Sequence, residues 1–248
     1  MENSSFKSRY IVRDDMSYDY IPLGNFKYFD FAELQKAQEK SWHSRPYEYA
    51  FVASNMRQAY NLNLIKLDRV LDLACGINHP GYMAIANMFI VKKVVALDLD
   101  SRLLTNGMDH PKVEKIIGDA ADTSFADDSF DAIVCVSALE HMSDWQDVIQ
   151  EMYRLLKVGG MAFVTLDISV DPEKTLQHNV DGKTPDDYKV AFKRAGLVIF
   201  GSYDSHMPET VVDTINSKYP LVKDESEFKP GQHRALKAFK MILRKEKK

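Results

Sequence analysis

The sequence has few cysteines, no excess of basic residues and no long apolar run. Its two cysteines among 248 residues, Cys75 and Cys135, lie in or beside apolar runs typical of buried strands. This placement favours free thiols in a reducing compartment over a disulfide framework. No segment reaches the roughly 20 apolar residues that cross a bilayer, and the polar start lacks the apolar core of a signal peptide. These absences predict a cytoplasmic protein without a membrane partner.

The charge balance also limits the function. The 36 Asp and Glu residues outnumber the 32 Lys and Arg residues, which gives a net charge of -4. A protein whose affinity depends on neutralising phosphates usually carries the opposite balance. We therefore expect no nucleic-acid partner.

From residue 67 onwards, short β-rich apolar runs alternate with segments of helical period. This alternation is typical of a parallel sheet covered by helices on both faces. The sequence predicts an α/β fold with a doubly wound, mostly parallel seven-stranded sheet. The strand candidates are Arg69–Leu73, Lys93–Asp98, Lys115–Ile117, Phe130–Val136, Met161–Leu166, Leu197–Tyr203 and Leu236–Leu243.

Two helices between these strands have recognisable ends. Ser143 opens a capping-box pattern before an apolar stripe, and Gly159 with Gly160 follows the stripe, so a helix is predicted between them. A second helix is expected to begin near Thr184, where Pro185 suits a first turn.

The first 66 residues differ from the rest in composition. They are rich in aromatic residues and become helical in character from Phe31, with an interruption near Pro46 that favours two helices meeting at a bend. We expect residues 1–66 to form an N-terminal helical cap and residues 67–248 to form the main domain. Within that domain, residues 205–233 are rich in Pro, Glu, Lys and Asp, and are predicted to be a loop or lid insertion.

The first strand runs into a turn of small residues, Asp72-Leu-Ala-Cys-Gly-Ile-Asn78, and then into a helix. In open α/β sheets, ligands bind at the carboxyl ends of strands, where backbone N–H groups of the next helix can hold an anion. The Gly-x-Gly-x-x-Gly pattern of dinucleotide binding is broken, because Ala74 and His79 replace two of its glycines. A phosphate loop ending in Gly-Lys-Ser/Thr is absent as well, which excludes the nucleotide triphosphatases.

This turn resembles the first motif of class I S-adenosylmethionine-dependent methyltransferases, an acidic residue followed by alternating glycines. Similar motifs follow in order, around Asp98, around Asp119 and over Phe130–Met142, and the resemblance covers about residues 68–166. Spacings of 26 and 21 residues separate Asp72, Asp98 and Asp119. Ser137–Met142 and Lys157–Gly160 resemble the small-molecule branch called methyltransferase type 11.

The resemblance implies a Rossmann-like methyltransferase fold that binds S-adenosyl-L-methionine and releases S-adenosyl-L-homocysteine. Asp98 is expected to accept hydrogen bonds from the ribose hydroxyls. Asp119 is expected to contact the adenine amino group, and the backbone of Ala120 a ring nitrogen. The cofactor-binding residues that it implies are Asp72, Ala74, Cys75, Gly76, Asn78, Asp98, Leu99, Asp119, Ala120 and Ser137.

His141 is the candidate catalytic base, because imidazole titrates near neutral pH and the residue lies after the fourth strand. A role in supporting the loop or touching the cofactor is equally open. A similar Glu-x-x-Glu-His sequence in quinone-biosynthesis methyltransferases has been associated with a divalent metal, but Ser137 stands here at the position of the first Glu. Glu140 and His141 alone are too few ligands for magnesium or calcium, so no metal is expected.

Residues outside the motifs are candidates for substrate binding. Trp42, Arg45 and Tyr49 belong to an aromatic cluster in the N-terminal segment, where Arg45 could pair with a carboxylate or phosphate. Packing of a cap against the sheet explains the cluster equally simply. His178, in the polar stretch after the fifth strand, is a further candidate that a surface loop would also explain.

The favoured function is methyl transfer by in-line displacement to O, N or C of a small-molecule acceptor. The alternatives are a protein or RNA methyltransferase, and a catalytically inactive methyltransferase-fold protein with a binding or regulatory role. A monomer and a homodimer are both compatible with the sequence.

Overall fold

The structure is a computed structural model that describes residues 45–77, 81–169, 185–200 and 236–246. Within these ranges, seven strands form one sheet in the order β3-β2-β1-β4-β5-β7-β6. Strands β1 to β5 run parallel, and β7 runs antiparallel to both β5 and β6. The predicted α/β fold is confirmed. The strands are β1 Arg69–Leu73, β2 Lys93–Asp98, β3 Val113–Ile117, β4 Phe130–Val136, β5 Leu156–Ser169, β6 Leu197–Ile199 and β7 Leu236–Lys245.

The strand ends differ from prediction mainly at the sheet's antiparallel side. Strand β5 spans 14 residues rather than the predicted Met161–Leu166, because β7 pairs with it from Met161 to Ser169. Hydrogen bonds to a partner strand satisfy backbone N–H and C=O groups, so pairing can extend a strand beyond the end that its own sequence predicts. The last residues of the predicted strand Leu197–Tyr203 lie outside the described ranges.

Helices cover both faces of the sheet. They are α1 Arg45–Asn61, α2 Gly81–Ala86, α3 Arg102–Asn106, α4 Trp145–Leu155 and α5 Pro185–Ala195, with a 3-10 turn at Leu139–His141. Helices α1 and α2 share one apolar core with the side chains of Val70, Val134 and Phe163. Helices α4 and α5 share the second core with Leu71, Ile133 and Val164. Alternate residues along each strand therefore face opposite helical layers.

The ends of α4 correct two predictions. Asp144, not Ser143, precedes its first residue, and its side chain makes no capping hydrogen bond. The helix ends at Leu155, before Gly159 and Gly160, since Leu156 is extended and pairs with Phe130 as the first residue of β5. Burial of Leu156 in the sheet ends the helix.

Helix α1 lies directly on the sheet. It begins at Arg45, beside the proline predicted to interrupt the helical segment, and Phe51, Val52 and Met56 are fully buried in the core shared with β1 and β4. The division into a cap over residues 1–66 and a main domain stays a prediction, as residues 1–44 and the predicted insertion at 205–233 lie outside the described ranges. Across the described ranges, no helix is both long and apolar enough to span a membrane.

Candidate active site

Acidic residues lie at or just after the carboxyl ends of the three adjacent strands β1, β2 and β3. Asp72 is opposite Ala96 of β2 and Val134 of β4. Asp98 ends β2, and Asp119 follows β3 by two residues. Parallel strands bring these positions to one edge of the sheet.

The Asp72 carboxyl is fully buried. The residue has no exposed surface, and neither carboxylate oxygen has a hydrogen-bond partner among the described residues. Burial raises the pKa of the Asp72 carboxyl well above its usual range, and the negative charge of Asp98 raises it further. A buried polar group is costly unless it is paired, so this carboxyl fits a ligand that brings a cation or a donor.

The loop after β1 is held by backbone hydrogen bonds to β2. The N–H of Cys75 donates to the carbonyl of Leu97 at 3.0 Å, and the N–H of Gly76 donates to Oδ2 of Asp98 at 2.7 Å. Ala74 and Gly76 both have positive φ angles, 55° and 67°, so the turn uses left-handed backbone at two positions. Among the described residues, a β-carbon on Gly76 would meet nothing within 4 Å. Burial, and then the charges of Asp72 and Asp98, raises the pKa of the Cys75 thiol, which therefore stays neutral.

The Asp98 side chain connects the loop after β1 with the loop that follows β2. Its Oδ1 accepts the N–H of Asp100 at 3.0 Å, while its Oδ2 accepts that of Gly76. Each carboxylate oxygen can accept a second hydrogen bond, so Asp98 retains capacity for two hydroxyl donors. The neighbouring Leu99 has 72% of its surface exposed, so its side chain is accessible to a ligand.

The loop after β3 is held by helix α4 in a manner that the sequence did not reveal. Asp119 is exposed and accepts the N–H of Ala121 at 2.9 Å, while Ala120 is buried. Further along the loop, the N–H and hydroxyl of Thr123 both donate to Oε1 of Glu151, at 2.9 and 2.6 Å. Arg154 donates to Glu151, to the carbonyl of Phe125 and to Asp127. This network fixes the segment that carries Asp119 and Ala120.

The loop after β4 contains a second unpredicted network. Ser137 has a positive φ of 43°, and its N–H donates to the carbonyl of Thr165 at 2.9 Å. The hydroxyls of Ser137 and Thr165 both donate to Oε1 of Glu48 in helix α1. No sequence motif singled out Glu48 or Thr165, because their contacts join segments far apart in the chain.

The predicted base lies on the 3-10 turn that follows. His141 is exposed, whereas the preceding Glu140 is buried. The N–H of His141 donates to the carbonyl of Ala138 at 2.9 Å. Among the described residues, no three His, Cys, Asp or Glu side chains lie together as metal ligands.

The predicted substrate residues have mixed outcomes. Tyr49 is only 3% exposed, and its ring packs against Gly81 at the start of α2. Arg45 is the first residue of α1. Trp42 and His178, and Asn78 from the cofactor set, lie outside the described residues.

The strand order, with β7 as the antiparallel member, and the acidic residues at the strand ends define the class I methyltransferase fold. Residues 71–164 match a family model described as a methyltransferase domain, of type 11. The chain therefore carries a class I S-adenosylmethionine-dependent methyltransferase domain, and the predicted resemblance is confirmed.

Known proteins similar to this chain agree with that class. The demethylmenaquinone methyltransferase of Corynebacterium glutamicum strain R is 34% identical over 107 residues, 42% of this chain and 44% of that protein. The match therefore spans less than half of that relative's length.

Two solved structures share the fold at low identity. Phosphoethanolamine N-methyltransferase 2 of Haemonchus contortus, in complex with S-adenosyl-L-methionine, has a TM-score of 0.57 at 18% identity, covering 78% of this chain and 53% of that one. The [4+2]-cyclase SpnF has a TM-score of 0.56 at 16% identity, covering 79% and 82%. Since a cyclase shares the fold, the fold alone does not decide the reaction.

Proposed function

We propose that this chain transfers the methyl group of S-adenosylmethionine to an oxygen, nitrogen or carbon atom of a small metabolite. The observation that carries the proposal is the buried Asp72 carboxyl, which has no hydrogen-bond partner among the described residues. It lies near enough to Asp98 for the charge of that carboxylate to raise the Asp72 pKa. A ligand that presents an ammonium group and a ribose satisfies both carboxyl groups.

The residues fit the cofactor as follows. Asp72 would hold the ammonium group as its carboxylate, and Asp98 would accept the ribose hydroxyls through the acceptor capacity left by the bonds from Gly76 and Asp100. Leu99 would cover the adenine, with Asp119 and the backbone of Ala120 at its polar edge. When bound, S-adenosylmethionine supplies a methyl group on a sulfonium centre, already activated for displacement.

The protein's own task is to orient the acceptor, exclude water and remove a proton where the acceptor requires it. His141 is proposed as the proton acceptor, because it is exposed on the turn after β4 and imidazole is the side chain best suited to accept a proton near neutral pH. Trp42, Arg45, Tyr49 and His178 are proposed to contact the acceptor. A quinone-like ring is the first acceptor class to test, given the demethylmenaquinone methyltransferase among the relatives.

The proposal is tested first by calorimetric titration of the purified chain with S-adenosylmethionine and with S-adenosylhomocysteine. We expect micromolar binding of both, and weaker binding after Asp72→Asn. Transfer of isotope-labelled methyl groups is then measured with quinone-like phenols, amines and hydroxy compounds, and in parallel with protein and RNA fractions. Labelling of protein or RNA alone would favour a protein or RNA methyltransferase. Absence of cofactor binding by the wild-type chain would overturn the proposal and favour an inactive binding protein.

A further inference from the structure

Helix α1 contributes a buried carboxylate, that of Glu48, which contacts the loop after β4. Glu48 has no exposed surface. Its Oε1 accepts hydrogen bonds from the hydroxyls of Ser137 and Thr165, residues that are 89 and 117 positions away in the sequence. Glu48 lies outside the segment that matches the methyltransferase domain, so this contact joins that domain to the N-terminal helix α1.

The hydrogen bonds of the three residues form a consistent chain. The hydroxyl of Thr165 gives its proton to Glu48 at 2.6 Å and accepts the N–H of Ser137 at 3.2 Å. The hydroxyl of Ser137 donates to the same carboxylate oxygen. Because each hydroxyl has one proton to give, the hydroxyls of Ser137 and Thr165 have no proton left for a second acceptor. Burying a carboxylate is unfavourable by several kcal/mol unless such bonds compensate.

Ser137 needs this support because its backbone is strained. A φ of 43° lies in the left-handed region, which is unfavourable by about 1–2 kcal/mol for a residue with a β-carbon. Such a conformation persists only where surrounding contacts stabilise it. At Ser137 these contacts are the two hydrogen bonds of its N–H to Thr165 and the hydrogen bond of its hydroxyl to Glu48.

The strained turn determines where the following residues lie. Ala138 leads directly into the 3-10 turn Leu139–His141, whose N–H at His141 bonds back to the carbonyl of Ala138. A change of φ at Ser137 would change the direction in which the chain enters this turn, whose Leu139 is buried in the core that also contains Trp145 of α4.

We propose that Glu48 is a positioning residue for methyl transfer. By accepting both hydroxyls through one oxygen, it holds the left-handed turn at Ser137 and so sets the place of His141 beside the acceptor. The inference rests on the proposed function, but the position of His141 can be measured without knowing the acceptor. Glu48 acts here as a hydrogen-bond acceptor, and its charge is not required.

The test uses the full-length chain with its seven histidines labelled with carbon-13 at Cε1. The His141 signal is assigned by His141→Gln and compared between wild type and variants well below their melting temperatures. Glu48→Ala removes the acceptor, and Ser137→Ala removes one donor. Glu48→Gln keeps a carbonyl oxygen that can take both hydroxyl bonds. The matched control is Asp131→Asn, because Asp131 is a buried carboxylate at the opposite end of β4 that accepts bonds from Arg69 and Lys157.

We expect Glu48→Ala and Ser137→Ala to shift the His141 signal and its titration, with the two changes non-additive in the double variant. Glu48→Gln and Asp131→Asn should leave both unchanged. Any fall in turnover on an acceptor found by the labelling screen should follow the same pattern, and Glu48→Ala should retain its affinity for the cofactor.

An unmoved His141 signal in both alanine variants overturns the inference. So does Glu48→Gln behaving like Glu48→Ala, because the charge rather than the acceptor oxygen would then be responsible. The proposed function is judged separately by S-adenosylhomocysteine binding to the wild-type chain, whatever the His141 signals do.

Discussion

The ring of Tyr49 occupies the space in which a β-carbon on Gly81 would stand. An ideal β-carbon there would lie 1.6 Å from Cζ of Tyr49, far inside van der Waals contact. Helix α1 therefore packs on the first residue of α2, which follows the predicted cofactor loop. Glu48, the preceding residue of α1, bonds to Ser137 in the loop after β4. Helix α1 therefore contacts two loops of the candidate site.

Gly81→Ala should destabilise the chain by about 1–3 kcal/mol, because the added methyl group overpacks a buried contact. For a chain of this size that corresponds to a fall in melting temperature of about 2–4 °C per kcal/mol. In a Tyr49→Ala background the same change should cost almost nothing, since the ring is gone. Thermal unfolding of wild type, the two single variants and the double variant measures the loss of stability caused by Gly81→Ala in each background. Equal losses with and without the Tyr49 ring would show that the ring does not oppose the added methyl group.

Asp98→Ala should weaken S-adenosylmethionine binding by about 100-fold or more. Two hydrogen bonds from the ribose hydroxyls to a charged acceptor are lost, each contributing about 1.5–3 kcal/mol. The matched control is Asp100→Ala, two residues further on. The Asp100 side chain forms an exposed ion pair with Arg102, while its backbone N–H, which bonds to Asp98, survives the substitution. Calorimetry should show an unchanged affinity for Asp100→Ala, and equal losses in both variants would remove Asp98 from the ribose site.

The Asp72 carboxyl should make the ligand-free chain less stable as the pH rises. Burial, with the charge of Asp98, raises its pKa above that of the unfolded chain, about 3.9. The folded state therefore retains a proton that the unfolded state releases. The stabilisation is complete below about pH 4 and is lost as the pH rises through the folded pKa, at up to about 1.4 kcal/mol per pH unit. Asp72→Asn lacks this titration, so its stability relative to wild type should rise with pH.

Urea unfolding of wild type and Asp72→Asn between pH 4.5 and 8 measures the difference directly, because other titrating groups contribute equally to both chains. A constant difference across this range would show that Asp72 is ionised in the folded state.

Glu151 should show the opposite pH dependence. Burial acts to raise its pKa, but hydrogen bonds from Arg154 and Thr123 outweigh burial and leave the pKa below its usual value. The stabilisation is therefore present above the unfolded pKa, about 4.3, and is lost as the pH falls through the folded pKa. Glu151→Gln should destabilise the chain by about 1–3 kcal/mol at neutral pH, and by less towards pH 3. Urea unfolding at both pH values checks this, and a penalty that grows in acid would contradict the network.

Local patterns in the sequence predicted most of the fold. The strand runs are separated by stretches long enough for the crossovers of a parallel sheet, and the resemblance to class I methyltransferases marked Asp72, Asp98 and Asp119 at or near the ends of these strands. Prediction failed at the ends of α4, where Asp144 rather than Ser143 precedes the first residue and pairing of Leu156 with Phe130 ends the helix before the glycines. Helix ends depend on such competition from neighbouring strands, which local propensity does not contain.

The order of strands along the chain, the methyltransferase motifs and the residues expected to hold the cofactor all follow from local sequence. The contacts of Glu48 with Ser137 and Thr165, the packing of Tyr49 over Gly81, and the burial of the Asp72 carboxyl without a partner among the described residues do not. These features depend on contacts between segments that are distant in sequence. Hydrophobic periodicity predicts which face of an element is buried, but only the packed chain determines which side chain lies opposite.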